Sequence, residues 1–229
     1  MTGKTAFVCS GRECLGYTEE GSRILMLQGV DENDLSVLEE QIGLIRQNSS
    51  RPFTFVTFRI GDWNSELSPW PAPPVFGKTP FGSGAPSTLS FIEKELIPDA
   101  LSRFGLPEDC PVIIGGYSLA AFFALWASYN SSAFRAVAAA SPSVWFPRWI
   151  DEAKTGRCNA SFVCLSLGDR EEKTRNPVMA TVGDCIRKQK EILDTQGVLN
   201  MLEWNEGNHF ADTGKRCARA FVRCLENIR

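Results

Sequence analysis

The sequence predicts an α/β protein: a mostly parallel central sheet with helices on both faces. Three observations carry this. Apolar, strand-like runs alternate with helix-like stretches from end to end. Gly115-Gly116-Tyr117-Ser118-Leu119-Ala120 sits where one such strand gives way to a helix, and the one histidine, His209, follows the last predicted strand. A length of 229 residues, 43% hydrophobic and 10% aromatic, suits a single domain over 1–229 with a sizeable core.

Taken in order, Thr5 to Cys9 and Arg23 to Gln28 read as strands separated by the turn-rich Tyr17-Thr18-Glu19-Glu20-Gly21. Asp31 or Asp34 caps a helix running to Asn48, with Leu35, Leu38, Ile42 and Ile45 on one face. Phe53 to Phe58 is a buried strand, and this strand-helix-strand order implies a crossover and parallel pairing. Gly61 to Pro86 breaks the rhythm: it holds six of the thirteen prolines, with Trp63, Trp70, Phe76 and Phe81 between them. Proline stiffens the backbone while the rings offer apolar area at low entropy cost. Following a central strand, this loop belongs at the carboxyl edge of the sheet, where ligands bind. The plainer reading is a stiff cover over a sheet edge.

Ser90-Phe91-Ile92-Glu93 fits a capping box for the next helix, with a start one turn earlier at Ser87 as the alternative. Leu89, Ile92, Leu96, Leu101 and Phe104 form its apolar side, Pro98 kinks it and Gly105 ends it. Cys110 to Ile114 is the strand before Ser118, and a helix from Ala120 follows. Arg135 to Ala140, Ser161 to Leu167 and Leu199 to Trp204 are further strands. Between them lie the aromatic loop Ser141 to Pro147, the acidic turn Gly168 to Glu172 and a helix from Asn176 to Thr195. A last helix spans Ala211 to Ile228.

A net charge of -3 and a pI near 5.4 leave no basic footprint for nucleic acid or an anionic membrane. No apolar run reaches the length of a membrane span, and Met1 to Thr5 lead into no signal-peptide core, which points to the cytoplasm. There the eight cysteines read as reduced thiols. Cys110, Cys164, Cys217 and Cys224 fall in apolar or helical patterns, and Cys9 and Cys14 have no second pair or nearby histidine to make a zinc site. Gly3-Lys4-Thr5 and Gly77-Lys78-Thr79 lack the earlier glycine of a phosphate loop, and no dinucleotide fingerprint follows the first strand. Chemistry without metal or cofactor is the simplest reading.

Small residues two before and two after a serine at a sharp strand-to-helix turn are what a nucleophile elbow needs. Gly116 and Ala120 provide them, Ser118 would be pushed out of the sheet edge, and the amide of Leu119 would face a developing oxyanion. The alternative is a helix N-cap serine. A serine hydroxyl needs a base, and the base needs a group to hold its tautomer. His209 is placed to be the base. The acid falls to the loop after the preceding strand, where Asp169, Glu171 and Glu172 crowd one turn and chemistry alone does not choose among them. Arg170, Lys173 and Arg175 would help keep such an acid ionised.

Gly116-Tyr117-Ser118-Leu119-Ala120, Asp62-Trp63-Asn64 with Ser68-Pro69-Trp70-Pro71-Ala72-Pro73, Ser141-Pro142-Ser143-Val144-Trp145, Gly168-x-x-Glu171 and Gly207-Asn208-His209-Phe210 together resemble the esterase group of the α/β-hydrolases. That group includes esterase D-like and enterochelin esterase-like proteins, and the likeness spans roughly residues 50 to 215. It implies the α/β-hydrolase fold with Ser118 as nucleophile, His209 as base and Glu171 as acid, Asp169 being second. It also implies a second oxyanion amide from Asp62 or Trp63. Ala120 stands where the common motif has glycine. The absence of a long lid insertion argues against lipase action on aggregated lipid.

The expected function is a serine hydrolase cleaving a small to medium carboxylic ester or thioester, with Trp63, Trp70, Tyr117, Trp145 and Phe146 walling its pocket. The partner is then a small-molecule ester, not nucleic acid or membrane. The alternatives are a ligand-binding protein that keeps the fold without the chemistry, and an acyltransferase or peptidase using the same three residues.

Overall fold

One eight-stranded sheet runs through the computed structural model, which describes residues 3–75 and 77–228. Phe76, counted above among the loop aromatics, lies outside the described residues. The strands are β1 (Gly3–Cys9), β2 (Arg12–Thr18), β3 (Leu25–Val30), β4 (Thr54–Arg59), β5 (Val112–Tyr117), β6 (Ala136–Ala140), β7 (Phe162–Gly168) and β8 (Leu199–Asn205). Their order across the sheet is β1-β2-β4-β3-β5-β6-β7-β8. The β1–β2 and β2–β4 pairs are antiparallel and every other pair is parallel. The helices are α1 (Glu32–Asn48), α2 (Trp63–Glu66), α3 (Ala85–Phe91), α4 (Ile97–Phe104), α5 (Leu119–Asn130), α6 (Trp149–Thr155), α7 (Val182–Thr195) and α8 (Thr213–Asn227). This is the α/β-hydrolase fold without a large lid domain among the described residues.

Alternate residues of the central strands feed two cores. Leu25, Leu27, Val56, Phe58, Ile114, Val137, Val163 and Leu165 face the cluster that contains buried residues of α3 to α7. Met26, Phe55, Ile113, Ala138, Phe162 and Cys164 face Leu38, Ile42 and Ile45 of α1 and Phe221 and Leu225 of α8. Because β3, β5 and β6 are buried along their whole length, they read as apolar runs rather than as alternating patterns. The eight cysteines are all free thiols, seven of them buried, and burial pushes Cys14 and Cys164 up to about 12.

Several expectations are corrected. Arg12–Thr18 is a strand the sequence reading leaves out: Ser10 and Gly11, at φ 45° and 83°, make the two-residue turn that folds β2 back on β1. Its Gly16 leaves room for the Phe104 ring, which would lie 2.2 Å from a Cβ there. Ser90 is no cap, since α3 already begins at Ala85 with Pro86 in its first turn. The kink expected at Pro98 is a π-helical turn over Ile92–Leu96, in which the Ile97 amide reaches back to Ile92 O. Proline has no amide to continue the regular ladder, so the extra residue is accommodated just before it. Residues read as loop form α2, and α6 lies in a stretch the sequence reading leaves without an element. The last two helices start later than expected, at Val182 after a short 3₁₀ turn and at Thr213 after Asp212 in the left-handed region. In α1, Asp31 is the cap and Asp34 returns the bond to the Asp31 amide. No helix among the described residues is long and apolar enough to cross a membrane.

Candidate active site

The turn between β5 and α5 holds Ser118 at φ 56°, ψ −116°, a conformation that non-glycine residues rarely adopt. It is held from several sides. The Ser118 amide donates to Ala140 O at 3.1 Å, and Ser118 O accepts from the amides of Phe122 and Ser143 at 3.0 and 3.1 Å. A Cβ on Gly116 would stand 2.7 Å from the Ala120 Cβ, which is why both neighbours must be small. The side chain is thereby set at the carboxyl edge of the sheet, at the head of α5.

Two other segments meet it there. β7 ends at Gly168, where a Cβ would lie 2.4 Å from Gly207 O, so the turn after β7 and the loop after β8 touch backbone to backbone. The first carries Glu171 and the second His209. Glu171 Oε2 lies 2.6 Å from His209 Nδ1, and His209 Nε2 lies 2.9 Å from Ser118 Oγ. Glu171 Oε1 accepts from the Gly168 amide at 2.8 Å, Ser141 Oγ at 2.7 Å and Arg216 Nη1 at 3.0 Å. Burial by itself would raise the Glu171 carboxyl. The hydrogen bond and charge of His209, with the Ser141 and Gly168 donors, outweigh it and hold the group below its ordinary value. A continuous chain from carboxylate through imidazole to hydroxyl is the arrangement that lets an imidazole accept a serine proton.

The other acids of that turn are engaged elsewhere. Asp169 Oδ1 accepts the Gly207 amide at 2.8 Å, and Glu172 pairs with Arg187 at 3.2 Å. Asp169, the alternative to Glu171, therefore braces the loop of His209 without touching the ring.

The sequence of residues 18–199 matches the family described as "Putative esterase". The chain belongs to this esterase family. Carboxylic ester hydrolysis is accordingly its activity class. None of the curated protein sequences matches it. Among solved structures, it is similar to an IroE-like serine hydrolase from Shewanella oneidensis, at 14% identity and TM-score 0.78 over 99% of this chain and 80% of that one. The siderophore hydrolase EstA from Aspergillus nidulans aligns at 17% identity and TM-score 0.69, covering 99% and 94%. The enterobactin esterase FES from Shigella flexneri aligns at 15% and 0.69, covering 99% of this chain and 59% of that one. At these identities the likeness is one of fold.

A cleft of about 120 Å³ opens beside Ser118 in this esterase, lined by Trp63, Asn64, Phe81, Leu119, Ser143 and Trp145. Trp63 heads α2 and Leu119 heads α5, so both amides belong to helix N-termini, where no intrahelical partner exists. The Asp62 amide does not qualify: it donates to Glu66 Oε1 at 2.8 Å, while the Asp62 carboxylate caps α2 at the Ser65 amide. Three of the expected pocket walls are also displaced. Phe146 is buried and stacked on Phe122 with centroids 4.8 Å apart, and Trp70 packs on Phe146 with its indole donating to Pro147 O. Tyr117 belongs to the core under α1 and α8, its hydroxyl donating to His209 O at 2.7 Å. It holds the histidine loop rather than lining the cleft.

Ser143, Ser141, Asn64 and Arg216 are the residues the sequence reading leaves unassigned. Ser143 Oγ lies 3.3 Å from Ser118 Oγ. The Ser-Pro-Ser run after β6 was its visible signal, since it follows a strand at the same edge. Among the described residues, no group of three or more His, Cys, Asp or Glu is placed to hold a metal ion.

Proposed function

We propose that this esterase is a serine hydrolase that cleaves a carboxylic ester or thioester of modest size through an acyl-enzyme on Ser118. The observation that carries this is the hydrogen-bonded chain Glu171–His209–Ser118, with 2.6 and 2.9 Å links, opening directly on the cleft. His209 Nε2 takes the hydroxyl proton as Ser118 Oγ bonds to the carbonyl carbon. Glu171 holds the tautomer and balances the imidazolium. The amides of Leu119 and Trp63 receive the oxyanion. On collapse the carbon–oxygen bond to the leaving alcohol breaks and His209 returns the proton to it. Water then repeats the sequence and frees the acid. With the Ser118 proton directed at His209, Ser143 is the donor in the contact between the two hydroxyls and holds Ser118 Oγ in line.

The cleft is smaller than the roughly 300–1,000 Å³ of pockets that enclose drug-sized ligands. One flat or short group of the ester fits between Trp63, Phe81 and Trp145, and the other extends to solvent. Structural neighbours named as siderophore hydrolases and an enterobactin esterase support an ester substrate. Eight free thiols fit a reducing compartment, so we place the protein in the cytoplasm, and one continuous eight-stranded sheet supports a single domain.

Hydrolysis of nitrophenyl acetate and butyrate tests the reading. Wild-type protein turns them over, and Ser118→Ala loses on the order of 10⁴ or more in kcat. Equal rates in both proteins would refute it. Added alcohols as competing acceptors distinguish transfer from hydrolysis in the products.

A further inference from the structure

Among the described residues, two charged side chains are buried, Glu171 and Arg216, and they touch. Arg216 comes from α8, the helix on the far side of the sheet from α5. Its Nη1 donates to Glu171 Oε1 at 3.0 Å and to the Tyr117 hydroxyl at 3.1 Å, and lies 3.5 Å from Ser141 Oγ. Its Nη2 donates to Glu206 O at 2.8 Å. Nε is buried with no partner among the described residues, so the hold is made entirely through the two terminal nitrogens. One guanidinium thus ties together the ends of β5, β7 and β8 and the loop after β6.

We propose that Arg216 is a positioning residue of this site: it occupies one oxygen of Glu171, leaves the other to His209, and through its charge sets the pH below which activity is lost. This rests on the serine-hydrolase reading above. A cation is needed there because a carboxylate taken out of water is strongly disfavoured unless it is paired. Among the described residues, Arg216 is the one arginine or lysine bonded to Glu171, and His209 holds the other oxygen. Around it stand the Tyr117 hydroxyl from β5, Ser141 from the loop after β6, the Gly168 amide from β7, His209 from the loop after β8, and Arg216 from α8. Asp169 and Glu172 on its own turn face Gly207 and Arg187, while Asp212 and Lys215 pair on the surface at the start of α8. Without the guanidinium 3.0 Å from Oε1, the buried carboxylate loses a paired charge, its ionised form is disfavoured, and the acid limb of the rate profile moves up.

The test compares pH profiles of kcat/KM for nitrophenyl butyrate in wild type, Arg216→Gln and Arg216→Lys. Removing the charge in Arg216→Gln moves the acid limb up by about one pH unit. Arg216→Lys keeps the charge and holds the limb near its wild-type position, although the lost fork lowers kcat. Coinciding limbs in all three proteins would overturn the proposal and leave Arg216 a structural residue. If Arg216→Gln does not fold, the stability of Glu171→Gln is compared with that of Glu171→Gln/Arg216→Gln. The double variant has the higher Tm because it leaves no charge buried alone, and a double variant no more stable than the single one would overturn the proposal equally. Wild-type protein without ester hydrolysis would count against the hydrolase reading, whereas an active wild type with coinciding limbs counts against Arg216 alone.

Discussion

At the scale of single residues, the difference between Glu171 and Asp169 is one of direction rather than of type. Both carboxylates sit in the turn after β7, two residues apart, and both accept a backbone amide. Only Glu171 also reaches the His209 ring, at 2.6 Å. We expect Glu171→Gln to lower kcat for nitrophenyl butyrate by on the order of 10³ or more, because an amide no longer enforces the tautomer or balances the imidazolium. Asp169→Asn keeps an oxygen for the Gly207 amide and changes kcat only a few-fold. The opposite ranking in steady-state kinetics would reassign the acid. Chemistry at the sequence level could not make this choice, since three acids crowd one turn; only the family spacing favoured Glu171. Ser118 and His209 were legible for a simpler reason, being a serine between two small residues and a histidine with no rival. Arg216 was hidden among Lys215, Arg219 and Arg223, which look alike in a list. Its distinguishing mark is phase: it lies four residues before Ala220 on the buried side of α8.

At the scale of elements, local rules decide most boundaries, and one of them carries a pH-dependent cost. Asp31 caps α1 and Asp34 closes the capping box, but Asp34 is pushed up to about 7 by burial first and by the charge of Asp31 second. A carboxyl whose folded value lies above its ordinary 3.8 stabilises the fold fully below that pH and loses the contribution as pH rises through about 7. Asparagine at this position keeps an acceptor oxygen and never ionises. Thermal melts should therefore give Asp34→Asn a Tm a few degrees above wild type at pH 8 and an equal one below pH 4. A higher wild-type Tm at pH 8 would contradict this. The elements the sequence concealed have equally local causes. β2 contains Gly16 and follows a two-residue turn whose Ser-Gly signal is easily passed over. α2 and α6 have only four and seven residues; α2 sits among the prolines and rings of the first aromatic loop and α6 directly follows the second. Those loops divide their labour. Trp63, Phe81 and Trp145 face the cleft, whereas Trp70 and Phe146 form the packing beneath.

At the scale of the whole molecule, the sheet order does what no local feature can. Residues 118, 171 and 209 are far apart in the chain, yet they follow β5, β7 and β8, and parallel pairing of β5, β6, β7 and β8 brings all three to one edge. That much followed from alternating strands and helices. The reinforcement beneath the site did not, because it depends on which face of α8 meets the sheet and on the backbone contact between Gly168 and Gly207. The most direct measurement is covalent labelling of the folded protein with a fluorophosphonate, with the adduct mapped by peptide mass spectrometry. One adduct on the Ser118 peptide, formed much more slowly in His209→Ala, is the predicted result. Folded wild-type protein that takes no label, or takes it on another residue, would contradict the account.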